Sequence, residues 1–134
     1  MLNIFISGAS GKMGISLIRA FSSHDDTRLI GGCSSQANSS LGQDLGKLAD
    51  TDLLGVLLSS NVEEAEKADL IVDFSSIQNS LQVLEYASEK SIPVLVGTTG
   101  FGITDLSKIT NFSKNIPILL APNTSLGINL IKKV

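Results

Sequence analysis

Residues 8–14, Gly-Ala-Ser-Gly-Lys-Met-Gly, are the part of the sequence best suited to bind a ligand. They follow the apolar run Leu2–Ser7 and open a segment of helical periodicity. Glycines tolerate positive φ and let backbone N–H groups approach phosphate oxygens, and a helix start adds unpaired donors and a partial positive charge. The segment therefore predicts a site for the phosphates of a dinucleotide. By itself, a Gly-x-x-Gly-x-x-Gly pattern is a weak signal.

Position 34 bears on which dinucleotide binds. In NAD-binding folds, an acidic residue about 20 residues beyond the glycine motif accepts hydrogen bonds from the adenosine ribose. Counted from Gly14, that position is Ser34. A serine cannot accept hydrogen bonds from both ribose hydroxyls as a carboxylate does, but it also does not repel the 2′-phosphate of NADPH. Lys12 is a cation that could reach such a phosphate, the alternative being a solvated lysine at a helix start. The two residues favour NADPH, or use of both cofactors, over strict use of NADH.

Small polar residues follow nearly every predicted strand. In chain order the strand ends read Gly8-Ala9-Ser10-Gly11, Cys33-Ser34-Ser35, Ser59-Ser60, Asp73-Phe74-Ser75-Ser76, Gly97-Thr98-Thr99-Gly100 and Ala121-Pro122-Asn123-Thr124-Ser125. Ligands of open α/β sheets bind outside the carboxyl ends of the strands. At any one end these residues are also ordinary turn and cap formers. Six such ends together favour one long crevice for a polar ligand, a dinucleotide.

The elements that position these ends alternate between apolar strands and amphipathic helices. Strands are predicted over residues 2–7, 28–33, 55–58, 68–74, 92–97 and 116–121, and helices over 13–21, 61–66, 77–90 and 103–113, with Thr104 or a neighbour as the cap of the last. Residues 37–52 are predicted to be a loop with a short helix, and another helix begins at Ser125. Continuously apolar strands indicate a parallel sheet covered on both faces. The predicted fold class is α/β, a doubly wound, mainly parallel sheet of the Rossmann type.

Composition narrows the class of protein. The 134 residues are 43% hydrophobic and suit one domain with a real core, and apolar runs stay well below the ~20 residues of a membrane span. A net charge of −3 and 4% aromatic residues give no footprint for nucleic acid or an anionic membrane. The start lacks the cationic region of a signal peptide, and the lone Cys33 suits a reducing compartment. We expect a cytoplasmic protein with neither nucleic-acid nor membrane partners.

Few residues are candidates for proton transfer. His24 lies at the far end of the first helix and predicts a surface or capping role, and Cys33 predicts a small buried residue. Asp73 is the carboxylate at a strand end, expected to accept backbone N–H bonds in the turn that follows it. The one histidine lies away from the predicted strand ends, which argues against a Ser-His-Asp set, and one histidine with one cysteine is too few for a His/Cys metal cluster. No catalytic residue and no metal ligand is predicted, so the chain binds a cofactor without the proton donor that a reductase needs.

Four segments together resemble the family of 4-hydroxy-tetrahydrodipicolinate reductase (dihydrodipicolinate reductase), of the diaminopimelate route to lysine. They are residues 8–14, Asp73-Phe74-Ser75, Gly97-Thr98-Thr99-Gly100-Phe101 and Ala121-Pro122-Asn123-Thr124-Ser125-Leu126-Gly127-Ile128-Asn129. The likeness spans essentially the whole chain. The last two motifs are specific to the family, whereas the glycine segment is not.

The resemblance implies that residues 1–134 are an N-terminal Rossmann domain that takes NADPH or NADH. By matching motifs, the pyrophosphate would be held by Gly8, Ala9, Ser10, Gly11, Lys12 and Met13, and the nicotinamide side would be lined by Gly97, Thr98, Thr99, Ala121, Pro122, Asn123 and Thr124. Lys12 stands where family members usually have arginine near the 2′-phosphate. Ser34 and Ser35 replace a common acidic residue and a frequent arginine, so cofactor preference stays open.

The family's C-terminal domain, with its His-His-x-x-Lys segment for proton donation and substrate binding, has no counterpart in this sequence. The resemblance therefore implies a fragment that is inactive and monomeric alone, cut from a homotetrameric enzyme that passes hydride from nicotinamide C4 to the substrate ring. An alternative is a stand-alone Rossmann module that binds or senses a nucleotide without catalysis. A weaker one is another two-domain dehydrogenase of amino-acid metabolism.

Overall fold

The computed structural model describes residues 1–121, which form one six-stranded parallel sheet with helices packed on it. The strands are β1 Leu2–Ser7, β2 Thr27–Cys33, β3 Leu58–Ser59, β4 Leu70–Asp73, β5 Val94–Val96 and β6 Ile118–Leu120. The helices are α1 Lys12–Ser22, α2 Leu45–Leu48, α3 Ile77–Lys90 and α4 Ile103–Phe112, and a 3₁₀ helix spans Val62–Ala65. The predicted helix after Ser125 lies outside the described residues.

The sheet separates two apolar cores. Ile4 and Ile6 of β1 belong to the core that includes Phe21 of α1, whereas Phe5 belongs to the other core with Leu84 of α3. All five side chains are at most 1% exposed. Burying each of them contributes about 1.5–3 kcal/mol. Both faces of the central strand are therefore covered, which explains why its sequence is continuously apolar.

The strand order is β3-β2-β1-β4-β5-β6. The winding reverses between β1 and β4, because β2 and β3 lie on one side of β1 and the later strands on the other. This is the order of doubly wound dinucleotide-binding sheets, whose ligands lie in the crevice outside the carboxyl ends of the strands where the order reverses. The predicted fold class is confirmed. Below, the β2 side and the β5 side denote the two halves of this crevice.

The third strand begins later than predicted. Residues 55–58 were expected to be extended, but Gly55 has φ +75° and β3 is only Leu58–Ser59. The Asp44 carboxylate accepts the amides of Leu54 and Gly55 at 2.9 and 2.7 Å and so turns the chain there. Asp44 also caps α2 through the Gly46 amide at 2.7 Å, so the predicted short helix is confirmed.

α4 begins at Ile103, as predicted. Its N-cap is Gly102, a near neighbour of Thr104, and the Gly102 amide donates to the Asp105 carboxylate at 3.0 Å. An acidic residue in the first turn thus replaces a hydroxyl cap, an arrangement that suits the positive end of the helix. Within residues 1–121 no helix combines the length and the apolar character needed to cross a membrane.

Candidate functional site

The three glycines of residues 8–14 meet different steric demands. Gly8 has φ +82°, and a Cβ there would overlap the carbonyl oxygen of Phe74. A Cβ on Gly14 would overlap the carbonyl oxygen of Gly8. By contrast, a Cβ on Gly11 would meet only that same oxygen, at an ordinary 3.6 Å. The fold itself needs glycine at positions 8 and 14, whereas position 11 is free for the approach of a ligand to the backbone.

The amides of this turn divide into two groups. Those of Gly8 and Ala9 donate to the Cys33 carbonyl at 3.0 and 3.1 Å, and that of Gly11 donates to the Gly8 carbonyl at 3.2 Å. Within residues 1–121 the amides of Ser10, Lys12 and Met13 make no hydrogen bond. Gly11, the N-cap of α1, supplies no side-chain cap, and the first turn of α1 holds no acidic residue. The turn therefore presents free donors at the positive end of a helix.

A second polar group lies beside the turn, on the β2 side. The hydroxyls of Ser10 and Ser34 are 2.6 Å apart, and the Asn38 side chain donates to Ser10 Oγ at 2.9 Å. The Asn38 oxygen accepts the Ser40 amide at 2.8 Å, so a local turn fixes its orientation. Ser34 thus joins the glycine turn as its position suggested. Asn38 was missed, and its only sequence signal was an Asn-x-Ser turn pattern in a loop without periodicity.

The β5 side is formed by the residues that follow β5 and by Ala121, which follows β6. A Cβ on Gly97 would overlap the ring of Phe74, so glycine is needed there for packing. Thr99 is exposed. Ala121 is buried, and its amide donates a hydrogen bond to the Val96 carbonyl at 2.7 Å. Pro122, Asn123 and Thr124 lie outside the described residues.

Beneath the β5 side lies a hydrogen-bonded group, the Asp73 cluster: Ser7, Asp73, Ser75, Asn79, Ser80 and Thr98. Asp73 is fully buried, and its carboxylate accepts hydrogen bonds from the hydroxyls of Ser75 at 2.6 Å, Thr98 at 3.3 Å and Ser80. Burial raises the pKa of Asp73, and the hydroxyl donors oppose that rise. The prediction that Asp73 accepts backbone amides is wrong, since the following amide, of Phe74, donates to the Ser7 carbonyl.

The other two candidates for proton transfer, Cys33 and His24, are not placed to act on a ligand in the crevice. Cys33 is buried, and burial raises the pKa of its thiol to about 11, so it stays protonated near neutral pH. His24 lies beyond the end of α1 opposite the glycine turn, where its Nδ1 accepts the Asp26 amide at 3.3 Å. In the part of the chain that the structure describes, no three His, Cys, Asp or Glu residues are grouped to hold a metal ion.

The strand order and the glycine turn together define a Rossmann-type domain, and solved structures share its fold. A dipicolinate-bound dihydrodipicolinate reductase from Paenisporosarcina sp. TG-14 has a TM-score of 0.73 at 21% identity, over 92% of this chain and 48% of its own. An oxidoreductase from Agrobacterium radiobacter in complex with NAD+ has a TM-score of 0.69 at 13% identity, over 89% of this chain and 34% of its own.

The sequence identifies the family. The family model described as "Dihydrodipicolinate reductase, N-terminus" matches residues 2–124, and the chain belongs to this family. The 4-hydroxy-tetrahydrodipicolinate reductases of Colwellia psychrerythraea and Syntrophotalea carbinolica are each 35% identical to it, over 99% and 100% of this chain and 50% and 51% of their own lengths. The chain therefore spans about half the length of the curated relatives it matches, and the predicted resemblance is confirmed.

Proposed function

We propose that this chain is the cofactor-binding portion of an NAD(P)H-dependent reductase of 4-hydroxy-tetrahydrodipicolinate, in the diaminopimelate route to lysine. The observation that carries the proposal is the open donor set of the glycine turn at the point where the sheet order reverses. The turn leaves room for the ligand, because a Cβ on Gly11, unlike one on Gly8 or Gly14, would meet no protein atom closer than 3.6 Å. When bound, the nicotinamide supplies the hydride, and the protein supplies orientation.

The pyrophosphate is assigned to the glycine turn. Gly8, Ala9 and Gly11 shape the turn, and the amides of Ser10, Lys12 and Met13 point free donors at the ligand. These amides add to the partial positive charge of the α1 N-terminus, which attracts phosphate. The adenosine half then lies on the β2 side, beyond Ser34, and the nicotinamide half on the β5 side, near Gly97, Thr98, Thr99 and Ala121–Thr124.

NADPH is proposed as the preferred cofactor, with NADH accepted. The three side chains that meet on the β2 side, of Ser10, Ser34 and Asn38, are all uncharged, so none of them repels a 2′-phosphate. Lys12 is exposed at the start of α1, in the same turn as Ser10, and its cation would attract that phosphate.

Proton donation and substrate binding are assigned to the half of the relatives that this chain does not cover. Residues 1–121 offer a buried carboxylate, a buried protonated thiol and a histidine at the wrong end of α1, and none of them faces the crevice as an acid. The chain by itself is then expected to bind cofactor as a monomer, and the whole protein to be a cytoplasmic homotetramer acting on a small-molecule substrate. A stand-alone sensing module is not favoured, because the matched family is one of reductases.

Calorimetric titration of the 134-residue chain with NADPH and NADH tests the proposal. An assay of NADPH oxidation in the presence of 4-hydroxy-tetrahydrodipicolinate accompanies it. Binding without turnover is expected. Turnover by this chain would contradict the assignment of the proton donor to the other half, and absence of binding to a folded chain would contradict the cofactor site.

A further inference from the structure

The Asp73 carboxylate connects three separate segments at the carboxyl edge of the sheet. Its hydroxyl donors come from the β4–α3 loop (Ser75), from α3 (Ser80) and from the β5–α4 loop (Thr98). The hydroxyls of Ser80 and Thr98 are also 2.8 Å apart. A single buried charge therefore joins the two loops that border the β5 side.

Thr98 is the link between the cluster and the crevice. Its hydroxyl accepts the Ser75 amide at 3.1 Å in addition to contacting Asp73, so this hydroxyl is used inside the protein. The next residue, Thr99, is exposed. The Asn79 side chain donates to Ser75 at 2.9 Å and to Ser7 at 3.0 Å, and so ties the β4–α3 loop to the end of β1. The position of the segment around residue 99 therefore depends on the cluster.

Stability alone does not account for a carboxylate at this place. Removing a carboxylate from water is costly even when hydroxyls pair it, and a neutral or apolar side chain of similar size is often as stable in such a position. The raised pKa of Asp73 reflects that cost. In the described residues every buried side-chain polar atom has a partner, so the cluster is fully hydrogen-bonded, and a satisfied network of this kind is rigid.

We infer that Asp73 is a positioning residue, which through Thr98 and Ser75 holds the two loops of the β5 side in the geometry that receives the nicotinamide ring. The inference rests on the proposed function, since the nicotinamide half is placed there by the general geometry of such sheets. Asp73 is fully buried, and within residues 1–121 its carboxylate makes no hydrogen bond to the glycine turn. Disturbing the cluster should therefore weaken recognition of the nicotinamide half while recognition of the adenosine half persists.

The experiment compares two ligands that differ only by the nicotinamide. NADPH and 2′-phospho-ADP-ribose are titrated calorimetrically into the 134-residue chain and into Thr98→Val, which keeps the side-chain shape but loses the hydroxyl. Thr98→Ser restores the hydroxyl. Thr27→Val is the matched control, because Thr27 donates to the Phe21 carbonyl at 2.7 Å at the opposite edge of the sheet. Urea unfolding of each variant reports its stability.

Thr98→Val is expected to lower the ratio of NADPH affinity to fragment affinity about fivefold, the size of one net hydrogen bond, with fragment affinity unchanged. Thr98→Ser should recover the ratio, and Thr27→Val should leave both affinities as they are. If Thr98→Val does not fold, Ser75→Ala, which removes the donor on the other loop, is measured in its place with the same expectation.

Three results would each overturn the inference: Thr98→Val weakens the binding of NADPH and of 2′-phospho-ADP-ribose equally, it changes neither affinity, or the wild-type chain binds the two ligands equally well. In each case, binding of 2′-phospho-ADP-ribose would still support the proposed cofactor site. A folded wild-type chain that bound neither ligand would instead remove the proposed function itself.

Discussion

The two sides of the crevice satisfy their polar groups in opposite ways. On the β2 side, the start of α1 leaves the amides of Ser10, Lys12 and Met13 without partners in residues 1–121. On the β5 side, Asp73 and Thr98 are fully engaged with neighbouring hydroxyls and amides. Unpaired amides suit an anionic ligand, which supplies the acceptors. Side chains whose hydrogen bonds are all made within the protein form a rigid surface instead. Under the proposed function, the β2 side would supply binding energy and the β5 side would supply orientation.

The largest expected effect comes from Gly8, where the two sides touch. Gly8→Val places a β-branched residue at φ +82° and drives its Cβ into the Phe74 carbonyl. Backbone strain and overpacking together should lower the free energy of unfolding by about 3 kcal/mol or more. Urea unfolding followed by circular dichroism measures the loss. Wild-type stability in this variant would show that the sides are not in contact as described.

Gly11 separates binding from folding. Gly11→Val meets no close atom of the protein, so stability should change little, but the side chain occupies the path of the pyrophosphate to the amides. NADPH affinity should fall about a hundredfold, the equivalent of one or two charge-assisted hydrogen bonds.

The matched control is Gly102→Val at the N-cap of α4, another glycine with extended backbone and an open Cβ position. It carries the same change in helix capping and should leave NADPH affinity unaltered. If calorimetry gave the same NADPH affinity for Gly11→Val as for the wild type, the glycine turn would not be the phosphate-binding site.

The smallest expected effect concerns Lys12, an exposed cation at the start of α1. Lys12→Ala should weaken NADPH about fivefold and NADH less than twofold, since exposed ion pairs contribute at most about 1 kcal/mol. Lys108→Ala, on the exposed surface of α4, serves as the control for loss of a charge. Equal losses for the two cofactors would show that Lys12 does not recognise the 2′-phosphate.

Local signals in the sequence predicted most of the fold. β1 and α3 have the predicted bounds, since an apolar run ending in glycine fixes the first and the Ser76 side chain, which accepts the Asn79 amide, caps the second. β3 was misplaced because the turn before it depends on the Asp44 carboxylate, which accepts the Leu54 amide ten residues further along the chain. A contact of this kind does not appear in the hydrophobic periodicity of the sequence, from which the strands were predicted.

The site could be predicted in part. Small strand ends and the spacing to Ser34 indicated the crevice, because both follow from the chain order of a doubly wound sheet. The different demands on Gly8 and Gly11 could not be predicted, since they depend on where the Phe74 carbonyl lies. The partners of Asp73 were also beyond prediction, as Thr98 comes from another loop, 25 residues later.

The place of β1 in the sheet bears on how the protein acquires its structure during synthesis. The first strand pairs with β2, which soon follows it, and with β4, where Ile4 faces Leu70. Contacts so distant in sequence close late and slowly. As the chain leaves the ribosome, the β1–β2 pair and its glycine turn can assemble before β4 exists. The Phe74 carbonyl then closes over Gly8, so the glycine turn takes its final form only after the middle of the chain has been made.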